Sequence, residues 1–156
     1  MDAVTIDWAQ GCTRFDGVNN SQKEYFDKKG FYVILTGKYN KDSNKFENIR
    51  LQYIGLAYDQ TIRERVLQDH SAYSKIQNYL EVHSDYTPLV MVGVIKNSTL
   101  GRITKDFFED IEACLINANK PLCNTQSMEN YNGRDIKVTN TGDYSPLNQA
   151  SIINKK

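Results

Sequence analysis

Cysteine is scarce in this chain and badly placed for cross-linking. The three residues Cys12, Cys114 and Cys123 form no C-x-x-C pair and leave one over. That excludes a disulfide framework or a zinc knuckle and points to a reducing, cytoplasmic setting. Net charge is absent too: Lys and Arg total 19, as do Asp and Glu. A protein that coats nucleic acid through a general positive field is therefore excluded, although a local basic groove is not. No apolar run approaches the ~20 residues a membrane span needs, so no membrane partner is expected. Asp2 and Asp7 interrupt the early apolar stretch, so no signal peptide is expected. Internal repeats, low-complexity blocks and linkers are missing as well.

What is present fits one globular domain: 156 residues, 40% hydrophobic and 24% charged, enough for a self-standing core. Val4–Trp8 alternates like a short strand. Residues 9–29 are polar and turn-rich. Phe31–Leu35 is a β-rich run. Residues 37–48 are Lys/Asn-rich and read as a solvated hairpin loop, with Lys38, Lys41 and Lys45 on it. Ile49–Leu56 is the returning strand, with Leu51, Tyr53 and Gly55 expected on one face. Asp59 or Thr61 caps a helix carrying Ile62, Val66, His70 and Tyr73, with a break near Ser71 and an end near Leu80. His83 reads as a charge at that helix's C-terminal end. Leu89–Ile95 reads as a central strand buried on both faces. Thr104 caps a second helix with a stripe of Phe107, Phe108, Ile111, Leu115 and Ile116, ending before Pro121. Ile136–Val138 reads as an edge strand, and the tail from Tyr144 as loose. The expected fold is α/β of the α+β kind, a small mixed or antiparallel sheet flanked by helices. Its β-β-α-β-α core at 30–124 lies between extensions at 1–29 and 125–156.

Five features fall in order on this core. They are Gly30-Phe31-Tyr32, Tyr53-Ile54-Gly55, Arg63 and Arg65 with His70, Glu112, and Lys120-Pro121-Leu122-Cys123-Asn124. Together they resemble the GIY-YIG nuclease family over about residues 30–124. The first motif departs from the pattern with Phe31, and the loop between the tyrosine motifs is long. The resemblance implies a metal-dependent endonuclease that hydrolyses phosphodiester bonds in duplex or branched DNA. Glu112 is then the sole protein ligand of a Mg²⁺ or Mn²⁺, which suits a cation that keeps most of its waters. Tyr32 and Tyr53 are the paired site tyrosines, one of them relaying a proton from the attacking water. Arg63 or Arg65 holds the scissile phosphate through its planar fork. Helical geometry favours Arg63, which lies seven residues before His70; local context favours Arg65. His70 is a proton shuttle, an orienter of Tyr32, or a helix cap. Asn124 braces the site by hydrogen bonds.

Ordinary structural roles stand beside these. Tyrosines favour strands, helix arginines pair with neighbours such as Glu64 or Asp69, and asparagine after proline marks a turn. A catalytically inactive nucleic-acid-binding or protein-interaction module on the same fold is the alternative. No segment reads as a recogniser of base edges, so specificity is expected from a protein partner, a homodimer or DNA shape.

Overall fold

A computed structural model describes residues 1–126 and 131–153; 127–130 and 154–156 of the expected C-terminal extension lie outside the described residues. The chain runs through β1 (Asp2–Trp8), β2 (Thr13–Arg14), β3 (Gly30–Asn40), β4 (Lys45–Ala57), α1 (Ile62–Leu67), α2 (Ser71–Val82), β5 (Tyr86–Ser98), α3 (Lys105–Asn119), β6 (Ile136–Gly142) and β7 (Ala150–Ile153). All strands join one mixed sheet in the order β4-β3-β5-β1-β6-β7, with β2 alongside β5. Only β1 and β6 run parallel. This is an α+β fold. No helix among the described residues is long and apolar enough to cross a membrane.

Side chains alternate across a strand, and β3 uses both faces. Phe31, Val33 and Leu35 enter one core with Phe107, Phe108 and Ile111 of α3. Tyr32 and Ile34 enter a second core with Ile62 and Val66 of α1 and Ile76 of α2. The expected central strand is β5, flanked by β3 and β1. Its run Leu89–Val92 is buried throughout, with Leu89 and Met91 in the first core and Val90 and Val92 in the second.

Alternation fails at one point of β4. Ile34 pairs with Tyr53 but Leu35 pairs with Leu51, so Gln52 is an extra residue in a β-bulge. Leu51 is thereby moved off the Tyr53 face and packs with Ile54 against the α3 core. The fully buried Gln52 amide donates to the Thr36 hydroxyl at 2.9 Å. Period-two reasoning puts Leu51 on the wrong face because it carries no signal for the inserted residue.

Two of the helix starts are those expected. Thr61 caps α1 in a reciprocal capping box with Glu64, and the Thr104 hydroxyl caps α3 by accepting from Phe107 N–H. The break expected near Ser71 divides the helix after Thr61 into α1 and α2, because the chain is extended at Gln68 and His70. The expected hairpin loop at 37–48 is mostly strand, with only residues 41–44 turning between β3 and β4. Lys38 is paired with Asp85 at 3.2 Å.

The ends are more integral than their polarity suggests. Val18 and Phe26, within short 3-10 turns at Phe15–Asn20 and Glu24–Asp27, are fully buried. β6 is no edge strand: it lies between β1 and β7. The tail read as loose returns to the sheet as β7, and Leu147 is 5% exposed within the α3 core. Isolated apolar residues in polar surroundings carry no periodic signal, so these anchors escape pattern reading. Leu147→Ala is expected to cost about 2–4 kcal/mol in urea unfolding, as for other buried leucines. A loose tail would give a change within about 0.5 kcal/mol.

Candidate active site

The β4 strand is the edge of the sheet, and its outward-facing amides need partners away from β3. The chain after α3 supplies them. Leu122 N–H donates to Leu51 C=O at 3.1 Å and Cys123 N–H to Gln52 C=O at 2.7 Å. Asn124 completes the series with a clamp on one residue. Its Oδ1 accepts from Ile54 N–H at 2.9 Å and its Nδ2 donates to Ile54 C=O at 3.0 Å. Asn124 is 8% exposed, so both bonds are shielded. The bracing role expected of Asn124 is thus directed at the backbone of the Tyr53-Ile54-Gly55 motif. The next outward amide, Leu56 N–H, meets the carboxylate of Glu112 on α3.

Beside this edge lies a cavity of about 830 Å³ whose wall includes Tyr32, Tyr53, Arg65, His70, Glu109, Asp110, Glu112 and Gln126. Five of the seven sequence-derived candidates therefore share one cavity. Asn124 stands behind it and lines an adjoining one. Arg63 does not belong to the group.

Arg63 is committed elsewhere. Its guanidinium bonds Asp27 at 3.0 Å, Ser21 C=O at 2.8 Å and Val18 C=O, and lies 5.2 Å from the Phe26 ring centre. It ties α1 to the two 3-10 turns. The helical argument that favoured it fails because α1 stops at Leu67 and His70 belongs to the next element. Arg65 faces the cavity, and among the described residues no carboxylate pairs with it within 4.0 Å; its contact there is with Gln68 Oε1 at 3.4 Å. The pairing with Asp69 considered from spacing does not form.

The two tyrosines differ in their surroundings. Tyr32 lies directly over Gly55, where a Cβ would come within 2.4 Å of its Cζ and 2.5 Å of its hydroxyl. Glycine at 55 is thus the cradle that lets the phenol lie flat across β4. The Tyr32 hydroxyl is buried and has no hydrogen-bond partner among the described residues. The Tyr53 hydroxyl is close enough for its contact with Tyr32 to oppose the rise of the Tyr53 pKa, though outside good hydrogen-bond geometry. Burial, reinforced by Tyr53 and Tyr73, raises the Tyr32 pKa. Burial and then the Glu112 charge push Tyr53 up to about 12. Both phenols are therefore protonated at neutral pH.

His70 is the N-cap of α2: its Nδ1 accepts from Ala72 N–H at 3.0 Å. A nitrogen that accepts carries no proton, so the neutral ring holds its proton on Nε2. Nε2 lies 2.9 Å from the Tyr53 hydroxyl. His70 thus donates to the Tyr53 oxygen, and the Tyr53 hydrogen is turned away from it. The ring caps a helix and orients a tyrosine at once, and that tyrosine is Tyr53 rather than Tyr32. Burial first, and Arg65 second, hold the His70 pKa below its ordinary 6.5.

Glu112 is the carboxyl group of the cavity whose ionisation burial opposes. Burial raises its pKa to about 7; Arg65 and the Leu56 amide oppose the rise, and Glu109 adds to it. Two contributors were missed from sequence. Tyr73 donates to Val66 C=O at 2.6 Å, joining α2 to the end of α1 and so fixing Arg65 relative to His70. Asp110, on the cavity wall, bonds Arg134 at 2.7 Å. Tyr73 sits at helical spacing from His70 and reads as core; the partner of Asp110 lies 24 residues on, beyond any local pattern.

Protonating His70 removes the lone pair that caps α2. Since its folded pKa is depressed, its contribution is present above pH 6.5 and lost as pH falls through the folded value. His70→Asn keeps a good capping residue but cannot titrate. It is expected to flatten the stability decline between pH 6.5 and 5 in urea unfolding, and a slope equal to wild type would contradict the capping assignment. Comparison with family models, with curated proteins and with solved structures gives no match to this chain.

Proposed function

We propose that the chain is a metal-dependent endonuclease of the GIY-YIG kind, acting on DNA. The observation that supports this most is a shared deficit. Among the described residues, one cavity holds an arginine with no carboxylate within 4.0 Å, a buried tyrosine hydroxyl without a hydrogen bond in good geometry, and a carboxyl group held near neutrality. Buried polar groups are normally satisfied within the protein. A cation, a phenol and a carboxyl group of this kind facing one space suit a ligand that brings negative charge, acceptor oxygens and a cation. A phosphodiester with a divalent ion has that composition.

The donor set fits a hard cation. Glu112 offers carboxylate oxygens at the cavity wall, where burial makes an ionised carboxylate costly and a nearby cation would relieve that cost. No group of three or more His, Cys, Asp or Glu able to cage a metal occurs among the described residues. Magnesium does not need one, since a carboxylate or two plus water and substrate oxygens suffice. When bound at Glu112, Mg²⁺ or Mn²⁺ supplies charge neutralisation at the non-bridging phosphate oxygens.

The side chains divide the remaining work. Arg65 binds the scissile phosphate through its planar fork and offsets charge as it builds. Tyr53, its oxygen occupied by His70 Nε2–H, directs its hydrogen toward the cavity and donates to a phosphate oxygen. Tyr32 has both a lone pair and a hydrogen uncommitted. It accepts a proton from the attacking water while passing its own to a phosphate oxygen. As the new P–O bond forms, the bond to the leaving oxygen breaks, and the proton passed to the phosphate oxygen moves on to the leaving oxygen. Asn124 and Gly55 touch no substrate; they hold Tyr53 and Tyr32 in register.

Nicking of supercoiled plasmid tests the reading. Wild type is expected to nick with Mg²⁺ or Mn²⁺ and not with EDTA, and Glu112→Ala to be inactive. Arg65→Ala should lose about 10²–10³-fold in rate, the usual cost of a transition-state donor, with little change in stability. Arg63→Ala should instead lower stability. Intact plasmid, branched and single-stranded DNA in every metal would overturn the proposal.

A second measurement does not depend on activity. The folded pKa of Glu112, about 7, lies above its ordinary 4.5. Between these values the folded state binds more protons than the unfolded one, so stability falls as pH rises through the window. Glu112→Gln abolishes that loss. At pH 8 without metal it is expected to melt several degrees higher than wild type, about 2–4 °C per kcal/mol for a chain of this size. Added Mg²⁺ should raise the melting temperature of wild type and not of Glu112→Gln.

A further inference from the structure

Two smaller cavities adjoin the catalytic one, and their charges are opposite. One, of about 240 Å³, shares Tyr53, His70 and Gln126 with it and adds Ser71, Lys75 and Thr125. Lys75 is the sole charged side chain among its described lining residues, is exposed, and forms no ion pair among the described residues. The other, of about 430 Å³, shares Glu109, Asp110, Asn132 and Gly133 with the catalytic cavity and adds Asp2, Asp106 and Arg134. Its one cation is already engaged: Arg134 bonds Asp110 at 2.7 Å and lies 3.7 Å from Asp2. Asp106 and Glu109 remain exposed on that side.

A nucleic-acid strand carries one negative charge per linkage. With its scissile phosphate on Arg65, the next phosphate on the Lys75 side meets an ammonium and the hydroxyls of Ser71 and Thr125. The next phosphate on the other side meets carboxylates. Like charges at close range cost free energy, and a protein of zero net charge has no general field to offset it. Resting on the nuclease reading, we propose that the cavity walled by Ser71, Lys75 and Thr125 is a second phosphate subsite. It takes the backbone phosphate flanking the cut on one side only, and no phosphate is held on the acidic side. The enzyme therefore reads the direction of the strand by charge, without contacting base edges. A strand end falls as readily on the acidic side of the cut as an internal linkage does.

The test uses a 5′-fluorescein-labelled DNA oligonucleotide whose cut site has been mapped with wild type. A single neutral methylphosphonate linkage is then placed on either side of the cut, and binding to the non-cleaving Glu112→Gln chain is read by anisotropy. The neutral linkage on one flank should weaken binding about 5–10-fold, and on the other less than about 2-fold. Lys75→Gln, in the same background, should weaken the unmodified strand equally and reduce the salt slope by about 0.7–0.9, the share of one phosphate. It should also erase the methylphosphonate penalty, and Lys75→Arg should restore it. Lys75 is exposed, so an unchanged melting temperature separates this from misfolding. Equal penalties on both flanks, or a penalty that survives Lys75→Gln, would remove the subsite while leaving the nuclease reading intact. If wild type neither binds nor cuts the oligonucleotide as a single strand, a duplex or a branched junction, and leaves plasmid intact in every metal, both readings fall together.

Discussion

The outward edge of β4 is the constraint on which the site depends. An edge strand must hide or satisfy its free amides, and here the partners are drawn from α3 and the segment that follows it. Because Asn124 clamps Ile54 and Glu112 reaches Leu56, satisfying the edge fixes α3 against the strand that carries Tyr53 and Gly55. The same contacts that end the sheet assemble the cavity. Positions separated by 70 residues are held by a clamp on a single peptide unit.

The cavity is assembled at a cost the rest of the fold must carry. Among the described residues, Tyr32 keeps a buried hydroxyl without a hydrogen bond in good geometry, Glu112 is pushed toward its neutral form, and Arg65 has no carboxylate within 4.0 Å. Each departs from what a core optimised for stability would contain. Around them several polar side chains are fully committed. His70 uses both ring nitrogens, Arg63 spends its guanidinium on three segments, and Gln52 and Thr36 satisfy each other in the interior. Among the described residues, the other buried side-chain oxygen without a partner is the Ser151 hydroxyl on β7, away from the cavity.

Much of this was legible in the sequence, and the exceptions share a cause. The runs at Phe31–Leu35 and Leu89–Ile95, the caps Thr61 and Thr104, and the stripe from Phe107 to Ile116 announce themselves because each is local and periodic. The motif order brought Tyr32, Tyr53, Arg65, His70, Glu112 and Asn124 into consideration together. What failed were inferences that carried one periodicity too far. Helical spacing was extended from Arg63 across an extended stretch to His70, and strand alternation across the bulge at Gln52. Val18, Phe26 and Leu147 were missed because single apolar residues in polar segments are anchored only by distant partners. The tautomer of His70 is likewise unreadable from spacing, since the Ala72 amide decides it.

The parallel pairing of β1 with β6 has a temporal consequence. Asp2–Trp8 is made some 130 residues before its partner Ile136–Gly142. Until then β1 can pair only with β5, and one flank of Val4, Ile6 and Trp8 stays open. Contacts of such long sequence separation close slowly. The nascent chain therefore carries an unfinished sheet edge beside the β3–β4 hairpin, and its period of greatest exposure to misassembly lasts until β6 is made.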